Sequence, residues 1–283
     1  MDIKKVKHMD IKEEKLIGQG NTAEIYRFDN DKILKLFRTG LHKTIVEREY
    51  QNAISIQNIL DCVPKVYEMV EVNGRHGIIY QEIKGTDLLK IMVNSLWKIN
   101  HYAKELAHHH LYIQKPVTDN MGTVKEKLNE DLNGVDALSD EHKDIVREYL
   151  KQLPEGNDLC HFDFHPGNIM ISEDKAVFLD WMTACKGDVC ADVARTSIML
   201  KHGEVAHAPW IMRKIISMFQ QHIYKIYIKE YLRISEKSME DIKRWELPVA
   251  AARLHEWISE HEKQVLIQLV KEHCDNIVKL HDS

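Results

Sequence analysis

The stretch CHFDFHPGNIMISEDKAVFLDW, residues 160–181, brings together two histidines, four carboxylates and an asparagine. Two chemistries compete for it. His161, Asp163 and His165 form H-x-D-x-H, whose alternate residues share one side of an extended segment and could ligate zinc. Read as H-x-D-x-x-x-x-N, the same residues let Asp163 accept a proton from an attacking hydroxyl while the amide oxygen of Asn168 holds a divalent cation. The downstream residues favour the second reading. NIMIS and KAVFLD predict two strands around a turn at Glu173 and Asp174. That hairpin returns Asp180 beside Asn168, which pairs an amide oxygen with a carboxylate as Mg²⁺ prefers. Pro166 and Gly167 follow the zinc pattern at once, and a zinc hydrolase leaves Lys35, Glu49 and the glycine turn at Gly18 and Gly20 without purpose.

Lys35 shares a strand face with Ile33 and Phe37, and a buried ammonium is costly without a partner. Fourteen residues on, Glu49 falls on the apolar stripe of a helix (Val46, Ala53, Ile56, Leu60), where a carboxylate is equally out of place. Each charge explains the other if the two pair between sheet and helix. The turn Gly18-Gln19-Gly20-Asn21-Thr22 between two strands lets backbone approach a ligand and offers N–H groups to phosphate oxygens. It is neither a Walker loop nor a dinucleotide fingerprint, since no helix follows it. At Tyr80-Gln81-Glu82-Ile83-Lys84-Gly85 an apolar strand ends in a glycine ahead of DLLKIM, a crossing where a flat heterocycle could take backbone hydrogen bonds.

These groups need a scaffold. KLIGQGNTAEIYRF and DKILKLF read as three strands, TIVEREYQNAISIQNIL as an amphipathic helix, and KVYEMVEV and GIIYQEI as a hairpin turning at Asn73 and Gly74. Beyond Gly85 the pattern is helical apart from the strand pair at 168–180. Strands first and helices later predict an α+β protein of two lobes, a nucleotide-binding lobe at 1–84 and a helical catalytic and substrate-binding lobe at 85–283. His108, His109 and His110 lie at helical spacing with Leu106 and Leu111 and read as helix residues. In KRWELPVAAARLHEWISEHEKQ, a helix started by Pro248 would set Glu256 and Glu260 at i and i+4 with Trp257 between them, acidic and aromatic groups suited to a cationic alcohol. A solvated face with a core tryptophan explains that stretch as well.

The 283 residues carry a net charge of −5, with 44% hydrophobic and 29% charged residues, which suits a folded soluble protein and argues against a nucleic-acid partner. There is no signal-like leader and no apolar run of spanning length, so a cytoplasmic protein with no membrane partner is expected. Five scattered cysteines without a C-x-x-C pair read as reduced thiols.

LIGQGNTAEIYRF, Lys35, Glu49, IIYQEIKGTDL, HFDFHPGNIMI and VFLDWMTACKGDVCADVAR together resemble the aminoglycoside phosphotransferase and choline kinase group of small-molecule kinases, which shares the protein-kinase fold. The likeness runs from about residue 14 to 200 and loosens in the C-terminal third. It implies Asp163 as catalytic base, Asn168 and Asp180 as Mg²⁺ ligands, and Lys35 on the nucleotide phosphates, oriented by Glu49. It also implies the Gln81 carbonyl and Ile83 amide on the base edge, and His161 and Asp192 as supports of the loop. His165 belongs to the loop pattern and receives no chemistry. The implied reaction moves the γ-phosphate of ATP or GTP to a hydroxyl of a small, cationic acceptor such as an aminoglycoside or amino alcohol. A catalytically silent nucleotide-binding protein and a protein kinase are the alternatives. Only about twelve residues separate Asp180 from Asp192, which leaves no room for a long activation loop.

Overall fold

The computed structural model describes residues 4–5, 16–20, 22–118, 120–203 and 210–281. They fall into two compact units, Met1–Ile91 with Pro166–Thr183, and Met92–His165 with Ala184–Ser283. The change of element type at Gly85 and the packing boundary thus differ: 85–91 and the 166–183 hairpin group with the sheet.

In the first unit, β1 (Lys4–Lys5), β2 (Leu16–Gln19), β3 (Ala23–Asp29), β4 (Lys32–Phe37), β5 (Val66–Val72) and β6 (Arg75–Gln81) form a sheet in the order β1-β5-β6-β4-β3-β2. Every pair is antiparallel except β1 with β5. The β5–β6 turn has Asn73 at φ 51° and Gly74 at φ 76°, the left-handed pair that matches strand twist in a two-residue hairpin. Helix α1 (Lys43–Gln57) starts at a His42 cap and buries Val46, Glu49, Tyr50, Ala53 and Ile56. Its apolar stripe packs with Phe37, Val66, Met69 and Ile78 of the sheet. The opposite face is also closed, by Leu34, Leu36, Val70, Val72 and Ile79 under Tyr26 and Phe28. A lysine in β4 is therefore held in apolar surroundings, as its neighbours predict. A second sheet orders β10 (Lys175–Phe178), β9 (Ile169–Ser172) and β7 (Thr86–Asp87). Glu173 and Asp174 turn it at φ 49° and 60°. β7 lies so close that a Cβ on Gly85 would run into the Ile171 carbonyl, so the glycine expected at this crossing is required by packing.

Among the described residues the second unit is helical, as expected, with one additional strand pair, β8 (Asp158–Cys160) with β11 (Cys185–Gly187). After α2 (Leu88–Asn94) and a 3₁₀ turn (Leu96–Lys98) come α3 (Ile99–Ile113), α4 (Val124–Asn133), α5 (Asp140–Gln152), α6 (Val189–His202), α7 (Trp210–Ile234), α8 (Met239–Lys243), α9 (Glu246–Arg253) and α10 (Glu260–His281). α9 is buried from Leu247 through Arg253, its alanines letting α4, α5, α6 and α10 approach. The cysteines are free thiols, with Cys160, Cys185, Cys190 and Cys274 buried.

One expectation fails. No single helix runs from Pro248 to Glu260: α9 ends at Arg253, and 254–259 form a loop before α10. Glu256 and Glu260 are thus not neighbours one helical turn apart, and Trp257 is no core anchor, being 91% exposed. The i, i+4 spacing is present in the sequence, but the chain leaves the helix at Arg253, whose side chain donates to Glu256 just past the helix end.

Candidate active site

Lys35 Nζ donates to Glu49 Oε1 at 2.8 Å and to Asp180 Oδ1 at 2.9 Å. Tyr80 Oη donates to the same Glu49 oxygen at 3.0 Å. Burial alone would depress the lysine, but the carboxylates of Asp180 and Glu49 outweigh it and hold the ammonium well above its usual range. The Glu49 carboxyl is pushed up by burial, an effect that Lys35 opposes and Asp180 reinforces. The pair that sequence alone requires is therefore a triad, tying α1, β4 and the hairpin end together.

The triad borders a cavity of about 360 Å³ within the first unit. Ile25, Ile33, Met170 and Leu179 line it with apolar surface, and Lys35, Asn168 and Asp180 supply polar groups. Gln81 and Ile83 lie along its edge with Gly18. The Gln81 and Glu82 amides are taken up by Lys65 O and Asp31 O, each at 2.8 Å.

Not all of the glycine turn behaves as expected. The Gly20 N–H bonds to Ala23 O at 2.8 Å, so that donor closes the turn. Thr22 O accepts from the Arg38 amide at 2.8 Å, and the Arg38 guanidinium donates to Gly20 O at 3.1 Å. Asn21 lies outside the described residues. Sequence reading missed Arg38, which sits just past the strand of Lys35 with no periodic signal.

The hairpin places the two cation-ligand candidates. The Leu179 amide donates to Asn168 O at 2.8 Å, and Trp181 Nε1 to Phe178 O at 3.0 Å. Asp180 itself adopts φ 59°, a left-handed conformation uncommon for a non-glycine residue and a frequent mark of functional positions. An amide and a carboxylate facing one cavity are hard oxygen donors of the kind Mg²⁺ takes together with phosphate oxygens. Among the described residues no group of three or more His, Cys, Asp or Glu is gathered as a metal site.

In the second unit, Asp192 at the start of α6 accepts from the His161 amide at 2.6 Å and the Phe162 amide at 2.9 Å. His110 Nε2 stands 3.1 Å from the same carboxylate, and His110 Nδ1 meets Tyr227 Oη at 2.6 Å. Burial would raise the Asp192 carboxyl, but His110, His161 and the Phe162 amide outweigh that and hold it below its usual value. Phe162 sits at φ 62°, and its carbonyl accepts from Arg195 Nε. Asp163 follows, with its amide donating to His161 Nδ1 at 3.3 Å. Arg195 Nη2 lies 3.9 Å from its Oδ1 and His165 Nε2 lies 3.7 Å from its Oδ2.

Arg195 also pairs with Glu256 at 2.7 Å, Glu256 with Arg253 at 2.7 Å, and Arg253 with Glu262 at 2.8 Å. Burial opposes ionisation of Glu256, yet both arginines overcome it and hold the carboxyl low. Glu260 accepts instead from Gln264 at 2.7 Å. Of the three acceptor-site candidates, only Glu256 connects to the loop of Asp163. Arg195 and His110 were missed, although both leave a trace: Arg195 is one turn after Asp192, and His110, unlike His108, is in step with Ala103, Leu106 and Ile113.

The Asp192 contacts set an acid limit. A carboxyl held low contributes stability that is complete above its unfolded value of about 3.9 and is withdrawn as pH falls through the folded one. Thermal melting should fall as the pH drops below that unfolded value, and Asp192→Asn should be less stable at neutral pH with a flatter acid limb. Parallel acid limbs in the two proteins would remove Asp192 as a source.

The phosphotransferase enzyme family (APH) matches residues 13–210. The chain belongs to that family. As a phosphotransferase it is a small-molecule kinase with the α+β, protein-kinase-like fold. It is 23% identical over 174 residues, 61% of this chain and 67% of its relative, to the protein LicA homolog of Mycoplasma capricolum subsp. capricolum. The ADP-bound aminoglycoside phosphotransferase APH(2'')-Ib superposes with TM-score 0.56 at 16% identity, covering 92% of this chain and 91% of that one. A choline/ethanolamine kinase family protein from Mesorhizobium loti gives TM-score 0.51 at 15% identity, covering 92% and 80%. At such identities the phosphotransferase shares their fold, and the likeness carries no substrate.

Proposed function

We propose that this phosphotransferase moves the γ-phosphate of ATP or GTP to a hydroxyl of a small cationic molecule, an aminoglycoside-like compound or an amino alcohol, with Mg²⁺ as cofactor. The observation that carries the reading is the Lys35, Glu49 and Asp180 triad facing one cavity with Asn168. Lys35 would hold the nucleotide phosphates, kept in place by Glu49. Asn168 and Asp180 would hold the cation, which when bound neutralises charge developing on the phosphates. The nucleotide base would lie against the apolar wall, with its edge on the Gln81 carbonyl and Ile83 amide and its phosphates under Gly18.

Asp163 would take the acceptor's proton as its oxygen attacks the γ-phosphorus. The new O–P bond forms while the bond to the β–γ bridging oxygen breaks, releasing nucleoside diphosphate. Asp192 and His161 would hold the loop that presents Asp163, and Arg195 would fix its carboxylate. Glu256, paired with two arginines, is better suited to holding Arg195 than to meeting a cationic acceptor directly. Trp257 and Glu260, exposed beside it, keep the acceptor role by cation–π and charge contact.

The test is nucleoside-diphosphate release from ATP and from GTP with aminoglycosides, choline, ethanolamine, sugar alcohols and a generic protein as acceptors. Release stimulated by one of the cationic alcohols is the expected result. Stimulation by the protein alone, or by none of them with nucleotide bound, would replace the reading with a protein kinase or a silent nucleotide binder.

A further inference from the structure

Helices α3 and α7 run parallel. Contacts join the two N-terminal ends, Asn100 with His222 at 2.8 Å, and again the two C-terminal halves, His108 with Glu230 at 3.0 Å and His110 with Tyr227 at 2.6 Å. The N-terminal end of the pair is therefore a shared surface, and it is unusually apolar. Trp97, in the turn just before α3, is 80% exposed, and Met218, one turn before His222, is 72% exposed. Leu96, Ile215 and Phe219 are also exposed there. Lone exposed apolar residues are ordinary, whereas several at one end mark a contact surface.

The charge around this end identifies the contact. Residues 92–104 and 210–229 hold six Lys and Arg and no Asp or Glu, in a chain of net charge −5. All six, Lys98, Lys104, Arg213, Lys214, Lys225 and Lys229, are exposed. Along α7, Ile215, Met218, His222, Lys225 and Lys229 follow one another on a single exposed face. Apolar groups thus occupy the tip and cations continue from it as far as Glu105 and Glu230, with Lys98 beside Trp97. A second copy is a poor occupant, because a two-fold interface would set this cationic surface against itself. Tryptophan at headgroup depth with flanking Lys and Arg is how a peripheral protein meets an anionic bilayer.

We propose that the shared N-terminal end of α3 and α7 is a docking surface for an anionic lipid bilayer. This revises the expectation of no membrane partner. That expectation rests on the lack of a spanning segment, and among the described residues no helix is long and apolar enough to cross a membrane. Lying on a bilayer requires no such helix.

Cosedimentation of the full chain with vesicles of phosphatidylcholine alone, or mixed with phosphatidylglycerol, tests the proposal. Binding should appear only on the mixed vesicles and weaken with added salt. A blue shift of tryptophan emission on those vesicles should be lost in Trp97→Phe. The double variant Lys98→Glu/Lys225→Glu should bind at least about tenfold more weakly. Met218→Glu should also bind more weakly, and both variants should keep the wild-type melting temperature. Absent binding, or equal binding to both vesicle types without salt dependence, overturns the proposal. So does a lipid-free dimer that Met218→Glu dissolves, which would assign the surface to a second copy. Binding to poly-glutamate but to neither vesicle would assign it to an acidic protein.

Discussion

Replacing Asp163 with asparagine should lower turnover by about 10²–10⁴-fold, the range that a positioned general base contributes. Asparagine keeps the size of the side chain and leaves the backbone bond to His161 intact. It removes the charge proposed to accept the hydroxyl proton. The nucleotide groups of the proposed site are carried by other residues, so nucleotide affinity, measured by calorimetry, should be unchanged. Unaltered turnover would remove Asp163 as the base. Lost turnover with lost nucleotide binding would instead indicate that the variant fails to fold, which thermal melting would reveal.

The second large effect concerns Arg195. Its guanidinium reaches the Phe162 carbonyl, the Asp163 carboxylate and Glu256. Arg195→Met should cost about 3 kcal/mol of stability, at the lower end for a broken buried pair because Glu256 retains some water contact. Turnover should fall as well, with Arg195→Lys restoring stability in part. Glu256→Gln separates two roles. If Glu256 acts through Arg195, kcat drops while the acceptor KM stays fixed; a raised acceptor KM at constant kcat would show that Glu256 binds the acceptor itself. The double variant Arg195→Met/Glu256→Gln should lose less stability than the two single losses combined, because neither charge is left without its partner.

Much of this site is legible in the chain because its parts are held by local rules. The Lys35 to Glu49 pairing follows from two periodicities, two for the strand and 3.6 for the helix, each placing a charge among apolar residues. The 169–178 hairpin follows from strand lengths and a polar turn, and with it the adjacency of Asn168 and Asp180. What stays hidden is long-range. Nothing in the run of three histidines says that His110 meets an aspartate more than eighty positions later, and nothing around Arg253 says that the helix ends there with its side chain on Glu256. The β8–β11 pair was also invisible, being three residues long and closed across 24 intervening residues. Arg38 closes the glycine turn through a carbonyl, a group that every residue offers and no sequence pattern marks.

The backbone of Phe162 is left-handed although its ring is among the largest fully buried side chains. A glycine would relax the backbone but lose the packing, so no residue satisfies both demands by itself. The conformation is held by Asp192 on one side of the peptide and Arg195 on the other, both from α6. A loop with no local preference for its own shape acquires that shape only when the helix docks. Order at Asp163 is thus inherited from the assembled second unit.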